Sequence, residues 1–158
     1  MLDTLVSTVT GALSAALGVV VGGIVTRRAQ DRQWLRDRQL VAYQELFSHY
    51  ANFTMEIGRA HTDRRGWDYD WGAWSAALIR VSLVAPNDVA TAIDEFGQAV
   101  DGFLEKVARQ ANPLESPLSP QEYHEAKQES AEAQIRLINV IRRSLGDDRH
   151  GLQFQIGG

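Results

Sequence analysis

LVSTVTGALSAALGVVVGGIVTRRAQDRQ, residues 5–33, decides how the rest of the chain is read. From Thr4 to Thr26 there are 23 residues and no charge. As a helix this run is roughly 35 Å long, set against a hydrocarbon core of about 30 Å. A cleaved leader would carry a basic start, a short apolar segment and a small-residue cleavage site. Here the chain starts Met1-Leu2-Asp3, the apolar run is long, and Arg27-Arg28 closes it in the manner of a stop-transfer flank. The sequence therefore predicts an uncleaved transmembrane anchor over residues 1–26. The competing structural reading is a soluble helical binding protein that buries residues 4–26 in its own core or in a partner.

Orientation follows from the basic flank. Arg27, Arg28, Arg32, Arg36 and Arg38 crowd the C-terminal side of the run, and no basic side chain precedes it. The positive-inside rule then places the N-terminus outside and the large C-terminal part in the cytoplasm, at the cytoplasmic membrane. The same five arginines are candidates for the membrane surface, since each could attract anionic headgroups. Within the run, Ser7, Gly11, Ser14, Gly18 and Gly22 step by four and three and share one helix face, widened by Ala15. Small residues let helices in lipid approach closely, so this face is the candidate for self-association and a homo-oligomer.

Beyond the anchor the pattern is helical. No Pro or Gly lies between Arg27 and Gly58, and Leu35, Ala42, Leu46, Tyr50, Phe53 and Ile57 recur at helical spacing. Thr62 to Gly66 reads as a turn. A second helix is expected from about Asp68 to Val84, ending before Ala85-Pro86. Asn87 is the expected N-cap of a third helix, with the stripe Val89, Ile93, Phe96, Val100, Phe103, Leu104 and Val107. After a loop from Asn112 to Ser119, Ser119-Pro-Gln-Glu122 has the form of a capping box with Pro at N1. The fourth helix carries Ala131, Ile135, Leu137, Ile138 and Ile141, and Gly146 suits its C′ position. The predicted fold class is all-α: an N-terminal transmembrane helix continuous with an antiparallel cytoplasmic helical bundle over residues 27–146. A tail follows over 147–158. Leu152, Phe154 and Ile156 alternate with glutamines there, as a strand would, but termini more often fray or fold back on their own domain.

The chemistry-bearing residues form no motif. Glu45, His49 and Glu56 lie along one helix, and Glu122, Glu125, Glu129 and Glu132 along another. A di-metal bundle site would need paired Glu-x-x-His motifs, which the chain lacks, so these read as solvated faces. His61-Thr-Asp63 and Asp68-Tyr-Asp70 flank a turn and read as helix caps. No metalloprotease, phosphate-loop, dinucleotide or nucleophile-elbow signature occurs. The absence of cysteine excludes disulfides, thiol catalysis and Cys-ligated metals. The expectation is a protein that is not an enzyme, with no cofactor and no metal.

The tryptophans are more informative. Trp67, Trp71 and Trp74 lie at i, i+4 and i+7, expected on one turn of the second helix. Such a turn either roofs the core or forms a patch for an unknown protein partner, since Trp is favoured at hot spots. The net charge of −4 argues against nucleic acid as a partner. From residue 39 onward there are 17 acids against 11 bases, so an acidic body follows a basic collar at the lipid bilayer.

The stretch Arg27-Arg-Ala-Gln-Asp-Arg-Gln-Trp-Leu-Arg-Asp-Arg-Gln-Leu-Val-Ala-Tyr-Gln-Glu-Leu-Phe47 resembles uncharacterised bacterial single-pass membrane-anchored helical proteins. Leu83-Val-Ala-Pro-Asn-Asp-Val-Ala-Thr-Ala92 resembles their mid-chain helix break. The resemblance implies an anchored bundle and carries no assigned activity. Together these readings point to a single-pass membrane protein whose bundle is an oligomerisation or protein-interaction module. The functional alternative is a membrane-permeabilising effector assembled through the small-residue face.

Overall fold

The computed structural model describes the backbone of residues 2–146 and 151–153, with side chains described for residue 30 and from residue 33 onward within those ranges. The described residues are helical: α1 (Leu2–Asp63), α2 (Trp71–Val84), α3 (Asn87–Leu104) running into a π-helical turn (Glu105–Gln110), and α4 (Pro120–Ser144). No strand occurs among them; Asn112 and Ser116 make an isolated antiparallel bridge. By internal contacts the chain divides into Met1–Arg38 and Gln39–Gly158.

In the second unit the helices run antiparallel to their chain neighbours. Along α1, Gln39 Nε2 donates to the Val84 carbonyl at 2.7 Å, and Phe53 meets Trp74 with ring centroids 5.2 Å apart. As α1 advances, its α2 partners recede. The same holds against α4, where Tyr50 pairs with Ser130 at 2.9 Å and Thr54 accepts from Tyr123. The core is the stripe expected of α1: Ala42, Leu46, Tyr50, Phe53 and Ile57 are all buried. Against it lie Val89, Ile93, Phe96, Val100, Phe103 and Val107, and from α4 Leu137 and Ile141. Burial of these side chains, at about 25 cal/mol per Å² of apolar surface, is the main term holding the bundle.

Three details depart from the expected boundaries. Leu35 is exposed and belongs to the first unit, not to the bundle stripe. Asn87 is the first residue of α3, and its N-cap is Pro86, which makes no side-chain cap bond. In α4, Ile135 and Ile138 are half-buried while Ala133, Gln134 and Leu137 face inward, so the buried stripe is rotated from the expected one. Small side chains at Ala126, Ser130 and Ala133 line the packed face, and periodicity weighted by size overlooks them.

The helix ends follow local chemistry. α1 closes with Arg64 at φ 51°, where Arg65 N–H returns to the Ala60 carbonyl at 3.1 Å, a Schellman-type stop made without glycine. The capping box of α4 forms as its sequence demands: Ser119 accepts from the Glu122 N–H at 3.3 Å, and Glu122 accepts from the Ser119 N–H at 2.8 Å. The second bond, the largest cause, holds the Glu122 carboxyl below its ordinary value. Gly146 takes φ 87° at the other end, a conformation that favours glycine. The tail then folds back: Asn139 both accepts from the Leu152 N–H (2.8 Å) and donates to the Leu152 carbonyl (3.0 Å). Phe154 and Ile156 lie outside the described residues.

Candidate functional site: an indole cleft beside a π-helical turn

α2 begins at Trp71, three residues later than the sequence suggests, because Asp70 is its N-cap and accepts from the Ala73 N–H at 3.0 Å. Trp67 and Tyr69 therefore lie in the preceding loop and not on the helix. The three indoles nevertheless line one cleft. Trp67 and Trp71 stand edge to face, 5.8 Å apart and inclined at 81°. Trp71 also packs on Tyr69 and Phe53, at 5.1 and 5.8 Å. Trp74 is buried against Phe53 and Phe96, so it belongs to the core and offers a partner little surface. Roofing the core and facing outward are thus divided between the rings: Trp74 does the first, while Trp71, 36% exposed, and half-buried Trp67 do the second.

Tyr69 is fixed in this group by its hydroxyl. It lies 2.8 Å from His49 Nδ1 and 3.2 Å from the His49 carbonyl, and burial pushes its ionisation above the ordinary phenol value. The group remains a neutral phenol at physiological pH and locks the loop onto α1.

Together Trp67, Trp71 and Trp74 line a cleft of about 410 Å³, closed on its other side by Asp101, Leu104, Ala108 and Arg109. The π-helical turn supplies the last two of these. π-helical turns are frequent at functional sites because they change which side chains share a face. Arg109 donates to Glu105 at 2.7 Å, a bond that favours its charged form. Asp101 is exposed, makes no hydrogen bond or salt bridge among the described residues, and feels Arg109 only through space. Asp101 and Arg109 carried no signal in the sequence, since nothing there distinguishes them from other surface charges.

A buried histidine supports the far side of the same turn. Asn112 N–H is diverted to Ser116 Oγ at 3.1 Å, which leaves the Val107 carbonyl without its i+5 donor. His61 Nε2 fills that place at 2.9 Å, and His61 Nδ1 accepts from the Leu118 N–H at 3.0 Å. These two bonds assign the neutral Nε2–H tautomer. His61 therefore ties α1 to the π turn and to the loop before α4.

The remaining candidates separate. Glu45 is paired with Arg80, and Glu56 with Arg65 at 2.7 Å. Among the described residues no group of three His, Asp or Glu side chains could hold a metal. A second cleft of about 570 Å³ lies between α1 and α4, lined by Met55, Gly58, Tyr123 and Lys127 among others, and burial lowers the affinity of Lys127 for its proton. Of the five arginines expected at a membrane surface, Arg36 and Arg38 are exposed, and Arg38 stacks over the Trp34 ring at 5.2 Å. The side chains of Arg27, Arg28 and Arg32 lie outside the described residues, as do those of Ser7, Gly11, Ser14, Ala15, Gly18 and Gly22.

No family model matches this chain, and neither does any curated protein or solved structure. Among the described residues no helix is long and apolar enough to cross a membrane, and the side chains of residues 4–26 are not among them.

Proposed function

We propose that this chain is a single-pass membrane protein whose four-helix bundle is a cytoplasmic interaction module, assembled as a homo-oligomer. The observation that carries this reading is the charge-free run Thr4–Thr26 followed directly by five arginines within 12 residues. An uncharged run of this length closed by a basic flank is the pattern of a bilayer-spanning helix with its arginines on the cytoplasmic side. The small-residue face Ser7–Gly22 supplies the self-association surface, and Trp67 and Trp71 supply the exposed contact on the bundle. Nothing in the described site arranges a nucleophile, a base and an oxyanion donor about one point, and the reading needs no reaction.

Membrane fractionation tests it. The full chain should resist carbonate and require detergent. Recovery in the aqueous phase without detergent would overturn the anchor and the orientation together. Gly18→Leu combined with Gly22→Leu should then reduce oligomer size in a bilayer, and an unchanged size would remove the self-association face. The effector reading predicts a loss of membrane potential on induced expression, which the interaction module does not.

A further inference from the structure

We propose that the indole cleft is a binding site for an organic ammonium ion bearing N-methyl groups. The inference concerns the bundle alone and rests on neither membrane attachment nor self-association. Three features of the cleft carry it. Trp67 and Trp71, inclined at 81°, make an angled aromatic corner, and Trp74 lines the same cleft. Ring faces attract cations through their quadrupole, and Trp does so best. The lining charges then choose the sign of the ligand. Arg109, the one base in the lining, is tied to Glu105 at 2.7 Å, whereas the Asp101 carboxylate has no hydrogen-bond or salt-bridge partner among the described residues. Asp101 and Glu105 thus set two carboxylates against one guanidinium at this rim. Finally, the cleft volume of about 410 Å³ accommodates a trimethylammonium head with its attached chain, within the usual range of small-molecule sites. Methylated ammonium ions suit such a site because they are weakly hydrated and present a broad apolar surface to the indoles.

The same chemistry could arrive as a free small cation or as a methylated lysine side chain, and the test separates them. The full-length protein is titrated with choline chloride and with an N-acetylated trimethyllysine amide, following the indole resonances. Sodium chloride at equal ionic strength and the uncharged tert-butyl isostere of choline serve as controls. Saturable shifts of Trp67 and Trp71 are expected with the cations, at least about tenfold stronger than with the isostere. Asp101→Asn, a change at an exposed side chain, should weaken binding by about tenfold, and Trp71→Leu should abolish it. Tighter binding of the lysine derivative identifies a protein side chain as the source; tighter binding of choline identifies a free ligand. The proposal is overturned by any of three results. These are no saturation with either cation up to about 100 mM, an equal response to the isostere, or unchanged affinity in Asp101→Asn.

Discussion

Replacing His61 with leucine should destabilise the bundle. Leucine fills most of the volume, so little cavity is created, and the cost isolates the polar groups. The Val107 carbonyl loses its donor at 2.9 Å, and the Leu118 N–H loses its acceptor at 3.0 Å. Each stranded buried group costs about 1–3 kcal/mol, so the pair amounts to about 3 kcal/mol after some relaxation and water entry. For a unit of this size the melting temperature should fall by roughly 12 °C. His61→Gln keeps a donor and an acceptor on one side chain and should recover part of that loss. The assay is thermal unfolding of the full-length protein by circular dichroism, alongside hydrogen exchange at the Leu118 amide. That amide should be protected in the parent chain and exposed in the leucine variant. A shift below about 3 °C with protection retained at Leu118 would refute the assignment of His61 as the joint between α1 and the π turn.

Other substitutions probe the same bundle. The Tyr43 hydroxyl is buried and finds no partner among the described residues, whereas the Tyr50 hydroxyl bonds Ser130 at 2.9 Å. Tyr43→Phe should therefore be neutral or stabilise by up to about 1 kcal/mol, and Tyr50→Phe should cost about 1 kcal/mol in urea unfolding. Gly97 in α3 has open space where a Cβ would sit, so Gly97→Ala should stabilise by about 0.5–1 kcal/mol. At Gly58 a Cβ would lie 3.3 Å from the Tyr123 ring, which is pinned by its bond to Thr54 and by Phe103, so Gly58→Ala should lose that gain. The pH dependence of the α4 cap has a fixed sign. Glu122 is depressed by its bond to the Ser119 N–H, so its contribution is complete above the unfolded carboxyl value and is lost as pH falls through the lower folded value. An acid titration of helicity should therefore be shallower in Glu122→Gln than in the parent.

The helices were legible because their signals are local. Ser119-Pro120-Gln121-Glu122 needs only its own backbone to form a capping box, and the α1 stripe needs only the helical period. What escaped depends on partners distant in sequence. The helical spacing of Trp67 to Trp71 and Trp74 predicts that it lies on α2, yet Asp70 stops the helix short of it. The ring still reaches Trp71 because the loop is held by Tyr69 on His49, 20 residues away. The Asn87 cap failed for a related reason. Pro86 already has extended backbone, φ −62° and ψ 159°, and takes the cap position itself, so Asn87 enters the helix. His61 looked like part of a polar turn, and nothing local indicates that its ring is buried between two elements more than 40 residues away.

The π turn is the clearest case of function-bearing geometry hidden from periodicity. Along α3 the buried positions step 89, 93, 96, 100 and 103 in the alternation of an ordinary helix. They then step by four twice, to Val107 and Ala111, where an α-helix would have turned Gln110 inward. Gln110 is polar and exposed, and Ala111, the extended residue that closes the turn, is buried. Widening has two consequences. It sends the Ala111 N–H to the Lys106 carbonyl, so that with Asn112 on Ser116 the Val107 carbonyl is left to His61, and it places Ala108 and Arg109 in the cleft shared with Asp101 and the indoles. A stripe of small and polar residues at positions 108–111 could be accommodated in either helix by propensity alone. Packing decides: burying Ala111 in place of Gln110 avoids burying an amide without partners, at a cost of about 1–3 kcal/mol had it gone in. The local helix irregularity, the buried histidine and the cleft thus meet at one turn, with Gln110 on its solvent side and Val107 on its core side.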